Sequence, residues 1–158
     1  MENALVSGIA SQKNQVKFTL HGVGDIPGTA FKILGPISDA DVEVDVIVQN
    51  VSVDGKTDFT FTVSSEDQET VNSVIEDIKE DVEYRDLIVN SDIAKVSLVG
   101  VGMRSQAGVA SRAFKALSEK DVNIQIICTS EIKITIVIAV DQLDQAVKTL
   151  HAAFNLGD

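Results

Sequence analysis

Apolar and polar residues alternate through Val16–Leu20, where Val16, Phe18 and Leu20 are separated by Lys17 and Thr19, and this predicts a half-buried strand. The turn HGVGDIPG follows. Pro27 suits a first helical turn, and Asp25 stands where an N-terminal cap is expected. A helix then runs to about Asp39, with Ala30, Phe31, Ile33, Leu34 and Ile37 on its apolar side and a predicted kink at Gly35-Pro36. Val42, Val44, Val46 and Val48 alternate through a strand predicted over Val42–Gln49. Asp54-Gly55 marks a hairpin turn into a strand at Asp58–Val63, with Phe59, Phe61 and Val63 facing inward. Ser64-Ser65 and Glu66-Asp67 open a second helix, whose Val71, Val74, Ile75 and Ile78 share one side. A last strand covers Glu83–Val89. The order is βαββαβ.

The same pattern then recurs. VKFTLHGVGDIPGTAFKILGPISDADVEVDVIVQN, residues 16–50, is matched by KVSLVGVGMRSQAGVASRAFKALSEKDVNIQIICTS, residues 95–130. Gly22 and Gly24 align with Gly100 and Gly102. After a two-residue insertion, Gly28, Ser38, Asp41 and Val42 align with Gly108, Ser118, Asp121 and Val122. The second copy reads as strand Lys95–Val101, helix Gly108–Glu119, strands Asn123–Thr129 and Lys133–Val140, and helix Leu143–Phe154. Only four residues follow, too few for another strand. The unassigned N-terminal segment ALVSGIA, residues 4–10, is therefore expected to supply the missing strand, within the chain or to a neighbour, because an open sheet edge must be covered.

The predicted class is α+β: two ferredoxin-like βαββαβ modules in tandem, with the N-terminal strand completing the second. The modules are expected at residues 16–91 and at 4–10 plus 94–156, joined by a short link at Asn90–Ala94. Such a period means two small domains rather than a solenoid. Modules of this size bury a modest fraction of their surface, so association is expected.

Composition narrows the partners. The formal charge is −11, from 24 acidic and 13 basic residues, which argues against nucleic acid or an anionic membrane. No uninterrupted apolar run is long enough for a membrane span and no signal peptide opens the chain, so the expected location is the cytoplasm. The lone Cys128 excludes a disulfide framework and reads as a small buried residue. Two histidines, His21 and His151, with that cysteine make no metal set, and no cofactor is expected. GVGDIPG lacks the Gly-Lys-Ser/Thr ending of a phosphate-binding loop and does not fit the dinucleotide fingerprint. No catalytic residue is assigned; the carboxylates around Glu76-Asp77 and Glu80-Asp81 read as a solvated helix face.

What remains is a glycine-bearing turn feeding a helix, present in both copies. Such a turn offers backbone N–H groups and a positive dipole end to an anion, although the glycines also fit a tight turn with no ligand. The copies differ at this turn. The first has Asp25-Ile26-Pro27-Gly28-Thr29-Ala30, with Gln49-Asn50 at the neighbouring strand end; the second has Met103-Arg104-Ser105-Gln106 and Thr129-Ser130. An amino acid presents a carboxylate and an ammonium. Amides with a carboxylate such as Asp25 answer both charges, and the second copy lacks that acid.

LHGVGDIPG followed by VEVDVIVQNVS, and KVSLVGVGM followed by NIQIICTSEIKITIVI, resemble in order the paired ACT domains of the regulatory region of aspartate kinase, over residues 4–157. VSLVGVGM and CTSEI, Cys128–Ile132, are far more discriminating than a bare glycine pattern. The resemblance implies a non-catalytic regulatory subunit that binds an end-product amino acid, threonine or alternatively lysine. The effect implied is feedback inhibition of a catalytic alpha subunit that phosphorylates aspartate from ATP. It further implies a homodimer whose modules pair side by side. Carried over by position, the effector contacts are Asp25, Ile26, Pro27, Gly28, Thr29, Ala30 and Gln49 from the first module and Asn123 and Ile124 from the second. Asn123 also fits a simple turn before a strand. Met1-Glu2-Asn3-Ala4 fits a separately started subunit, and a region cut from a longer chain reads the same. Two other classes stay open at this point: a structural dimerisation module without its own ligand, and a small ferredoxin-like enzyme.

Overall fold

The structure is a computed structural model that describes residues 6–100 and 106–155. Expectations for Met1–Ala4, Leu5, Val101, the Met103-Arg104-Ser105 turn and Leu156 fall outside those residues. In chain order the elements are β1 Gly8–Gly24, α1 Thr29–Asp39, β2 Ile47–Gln49, β3 Lys56–Ser64, α2 Gln68–Ile78, β4 Asp86–Val99, α3 Gln106–Ser118, β5 Ile124–Thr129, β6 Lys133–Ala139 and α4 Leu143–Ala153. Short 3-10 turns at Ser65–Asp67 and Val140–Gln142 lead into α2 and α4. Two compact units result. One is Asn14–Ser91; the other joins the N-terminal residues through Lys13 to those from Asp92 onward.

In the Asn14–Ser91 unit the strands lie in the order β2-β3-β1-β4. β1 is antiparallel to β3 with Val16 opposite Val63 and Phe18 opposite Phe61. Because successive side chains point to opposite faces, Val16, Phe18, Leu20, Phe59, Phe61 and Val63 form one apolar surface. Ile33 and Ile37 of α1 and Val71, Ile75 and Ile78 of α2 close over it. Phe18 and Phe61 stack with ring centres 5.4 Å apart. Each such large side chain contributes about 1.5–3 kcal/mol by leaving water. Two predicted members of the α1 apolar side do not take part. Phe31 is 76% exposed, and Ala30 is exposed. The apolar stripe is two residues narrower than the run of hydrophobic letters.

The other unit has β1-β4-β6-β5, with Ser7 donating its N–H to Val99 O at 2.7 Å and its hydroxyl to the same oxygen. Val6 is buried with Ala94, Val96, Leu98, Ile134, Ile136 and Ile138 beneath Leu117 of α3 and Leu150 of α4. The N-terminal residues thus complete this βαββαβ sheet from within the chain.

Three expectations about strands are corrected. The part of the predicted N-terminal strand from Gly8 onward and the predicted strand at residues 16–20 belong to one unbroken β1, and Asn14 inside it takes φ 60°. The predicted strand Glu83–Val89, from Asp86, and the predicted second-copy strand, as far as Val99, likewise merge in β4, so Asn90–Ala94 is strand rather than a link. Ladder hydrogen bonds from a neighbouring strand hold such polar stretches extended whatever their side chains. Third, Val42–Val46 is not regular strand, and β2 covers only Ile47–Gln49. Thr62 is the cause: its hydroxyl takes the Val46 N–H at 3.1 Å, its N–H goes to Val46 O, and its carbonyl takes the Asp45 N–H. Val42 and Val46 still point into the core.

The repeated Ser, Asp and Val have a structural explanation. Asp41 and Asp121 sit just past α1 and α3 in the left-handed region, at φ 60° and 58°. Asp41 N–H donates to Ser38 O and Val42 N–H to Ile37 O; Asp121 and Val122 repeat this with Ser118 and Leu117. This is a Schellman ending, with an aspartate where glycine is commonest and Val42 and Val122 as the apolar contact. Cys128 is only half-buried on β5, not the buried residue expected.

Candidate functional site

β1 leaves its register with β3 between Leu20 and Val23. Gly22 lies in that break at φ 70°, and a Cβ there would stand 3.1 Å from Arg85 Cβ. Gly22 N–H donates to Asp58 Oδ1 at 3.2 Å, and His21 Nδ1 lies 3.2 Å from the same oxygen. The Gly22 N–H holds the Asp58 carboxyl below the usual aspartate range; partial burial opposes this, and His21 and Arg85 reinforce it. His21 is thereby partnered by Asp58.

The chain then turns. Asp25 N–H donates to Gly55 O at 2.9 Å, so the loop rests on the Asp54-Gly55 turn at the head of β3. Asp54 and Gly55 both have positive φ, and Val53 and Lys56 exchange backbone bonds, giving the two-residue hairpin read from the sequence. Thr29 Oγ1 donates to Gly24 O at 3.0 Å and closes the loop from its far side.

Asp25 does not cap α1. The N-cap is Gly28, in the left-handed region at φ 94°, and no side chain caps the helix. The carboxylate of Asp25 is turned instead toward Gln49, whose Nε2 lies 3.5 Å from Asp25 Oδ1. Gln49 ends β2 opposite Phe59, and Thr57 Oγ1 donates to Asn50 O at 2.6 Å, tying that strand end to β3. One acid and one amide from distant parts of the sequence therefore meet beside an uncapped helix start. Around them Ile26 is 63% exposed; Pro27, Gly28 and Ala30 are exposed, and Thr29 is half-buried.

Asn123 and Ile124 belong to the other unit. Asn123 lies exposed before β5, its N–H donating to Gln142 Oε1 at 3.4 Å, while Gln142 Nε2 donates to Asp121 O. Ile124 opens β5 and packs partly against that unit's core. Sequence reasoning missed Gly55, Thr57 and Asp58 as supports of the loop. The Asp54-Gly55 turn was the available signal, since a tight hairpin fixes what stands beside the end of β1.

Among the described residues no His, Cys, Asp and Glu cluster could hold a metal, and no helix is long and apolar enough to cross a membrane. Two ACT-domain models match the chain, at residues 20–83 and 96–154. The solved aspartokinase alpha and beta subunits share 42% identity with a TM-score of 0.88, over 95% of this chain and 99% of that one. The chain belongs to the ACT-domain regulatory region of aspartate kinase. The regulatory subunit of aspartate kinase from Thermus thermophilus, in a ligand-free form, is 31% identical with a TM-score of 0.89, over 95% of this chain and 99% of that one. Aspartate kinase of Pseudomonas fluorescens is 52% identical over 99% of this chain and 38% of its own length. The chain thus spans about two-fifths of that relative's length. Tandem ACT modules of ferredoxin-like topology account for both units and for the internal repeat.

Proposed function

We propose that this regulatory region binds an end-product amino acid and transmits its presence to an attached aspartate kinase as feedback inhibition. The observation that carries the reading is the approach of Asp25 to Gln49 beside the uncapped start of α1. The Asp25 carboxylate suits a ligand ammonium. Thr29 N–H is engaged by Ile26 O, so the first-turn N–H at Ala30, with the helix dipole behind it, suits its carboxylate. Ile26, Pro27 and Gly28 shape the space between, and Gln49 offers a neutral amide to a hydroxyl or to the ammonium. A short hydroxylated side chain fits this polar, shallow setting, so threonine is the leading effector and lysine the alternative.

Asn123 and Ile124 complete the site from the second module of another copy, so that a homodimer is the binding form. The module limits are taken as residues 16–91 and 4–10 plus 94–156. The catalytic alpha subunit is the partner, and the cytoplasm the location. A ligand bound across such a seam stabilises the assembled state by mass action. It inhibits the kinase only through different affinity for two arrangements of that seam.

Isothermal titration with threonine and with lysine tests the reading, joined to sedimentation at several protein concentrations with and without each ligand. Saturable heat, with a shift toward dimer and about two sites per dimer, is expected for threonine. A chain that binds no amino acid and dimerises regardless is an assembly module instead.

A further inference from the structure

The two modules handle one equivalent N–H group differently. In the second unit β4 and β6 stay in register from Ile93 opposite Ala139 to Val99 opposite Lys133, and Gly100 N–H continues the ladder onto Ile132 O at 2.9 Å. In the first unit the register breaks after Leu20, and the equivalent Gly22 N–H turns to the side chain of Asp58. The residue that occupies the Asp58 place in the second unit is Lys133. Phe59 and Thr60 correspond in the same way to Ile134 and Thr135, and the hydroxyl pair Thr19–Thr60 to Ser97–Thr135. Lys133 carries no acceptor, so it cannot hold a backbone N–H.

The geometry points to Asp58 as a positioning residue for the effector loop, acting with His21. One carboxylate oxygen gathers Gly22 N–H and His21 Nδ1 at the bulge. Three residues later Asp25 N–H is held by Gly55 O, from the turn that leads into the same strand as Asp58. Both anchors come from the head of β3. Together they fix where β1 ends and therefore where the Asp25 carboxylate points. Arg85 N–H closes the other side by donating to His21 O at 2.7 Å, which leaves the bulge no freedom to slide. Asp58 touches no ligand in this arrangement. Its effect on affinity passes through the loop. The inference rests on the effector-site reading above, which it deepens.

The test uses the full chain and two variants, Asp58→Ala and Asp58→Asn. Asparagine keeps an oxygen that accepts from Gly22 N–H and His21 Nδ1 without the charge; alanine keeps neither. Threonine affinity by titration is expected to fall about tenfold in Asp58→Ala, as for loss of a charge-assisted bond, and to stay within about threefold of the parent in Asp58→Asn. Without ligand, amide exchange at Gly22 and Asp25 should quicken in Asp58→Ala and recover in Asp58→Asn, while Phe18 and Phe61 keep their protection. Unchanged exchange at Asp25 in Asp58→Ala overturns the positioning role whether or not any ligand binds. An Asp58→Asn variant as weak as Asp58→Ala overturns it too, because charge and not placement is then what matters. If the parent chain itself binds neither threonine nor lysine, the effector reading fails, and the exchange data alone decide the role of Asp58.

Discussion

Replacing Asp25 by alanine separates a ligand contact from a structural one. The structure limits what the folded state loses. Asp25 is exposed, it does not cap α1, and its side-chain hydrogen bond among the described residues, from Gln49 Nε2, is 3.5 Å long. A contact at that limit of hydrogen-bond length contributes no more than about 0.5 kcal/mol. Its backbone bond to Gly55 survives in alanine. For a unit of this size such a loss lowers the melting temperature by roughly 2–4 °C, against roughly 4–8 °C for a cap of about 1 kcal/mol. The ligand side is larger. A charge-assisted contact to an ammonium is worth about 1.5–3 kcal/mol, or roughly tenfold to hundredfold in affinity. Calorimetric titration with threonine, paired with thermal melts of the same samples, reads both numbers. Asp25→Ala should bind at least tenfold more weakly with a nearly unchanged melt, and Asp25→Asn should fall between it and the parent. Unchanged affinity would refute the reasoning outright. A lower melt in step with lower affinity would show that Asp25 is a structural residue.

Three further outcomes are expected. Deleting residues 1–10 removes Val6 from its core and the Ser7 bonds to Val99, so amide exchange should rise along Ala94–Val99 while Phe59–Val63 stays protected; equal exchange in both would make the segment a tail. Asp121→Gly should raise the unfolding free energy by about 0.5–1 kcal/mol, read as a higher urea midpoint, because glycine adopts the left-handed Schellman position without strain, whereas Asp121→Val should lower it. Lys95 is 3% exposed, and burial, aided by Lys133, lowers its amine from 10.5 to about 8. Above pH 8 the folded chain sheds that proton while the unfolded chain keeps it to about 10.5, so stability should gain a rising contribution across that window. Urea unfolding from pH 7 to 10 should show the rise, and Lys95→Met should flatten it.

The repeat, the alternating strands and the helix faces belong to the sequence itself. Val16, Phe18 and Leu20, or Ile134, Ile136 and Ile138, bury one face wherever their strand is placed, because a period of two fixes which side each residue occupies. The Asp54-Gly55 turn was legible for the same local reason, as was the need for an N-terminal strand, since a count of strands left one edge uncovered. The approach of Gln49, at a neighbouring strand end, to the turn that carries Asp25 was also readable from the order of the strands. Tertiary structure decided the rest. Whether residues 90–94 link or pair depends on a neighbouring strand, which no local pattern reveals. Thr62 breaks β2 by competing for the Val46 N–H, although the valine alternation there is flawless. Asp25 looks like a cap until Gly28 takes that place and the Gly55 carbonyl holds the loop elsewhere. Asp58 reads as an ordinary strand opener because its partners, His21 and Gly22, lie far away in the chain and meet it only across the β1 bulge. Periodicity reports which face a residue takes; hydrogen bonds between segments remote in sequence report what it does there.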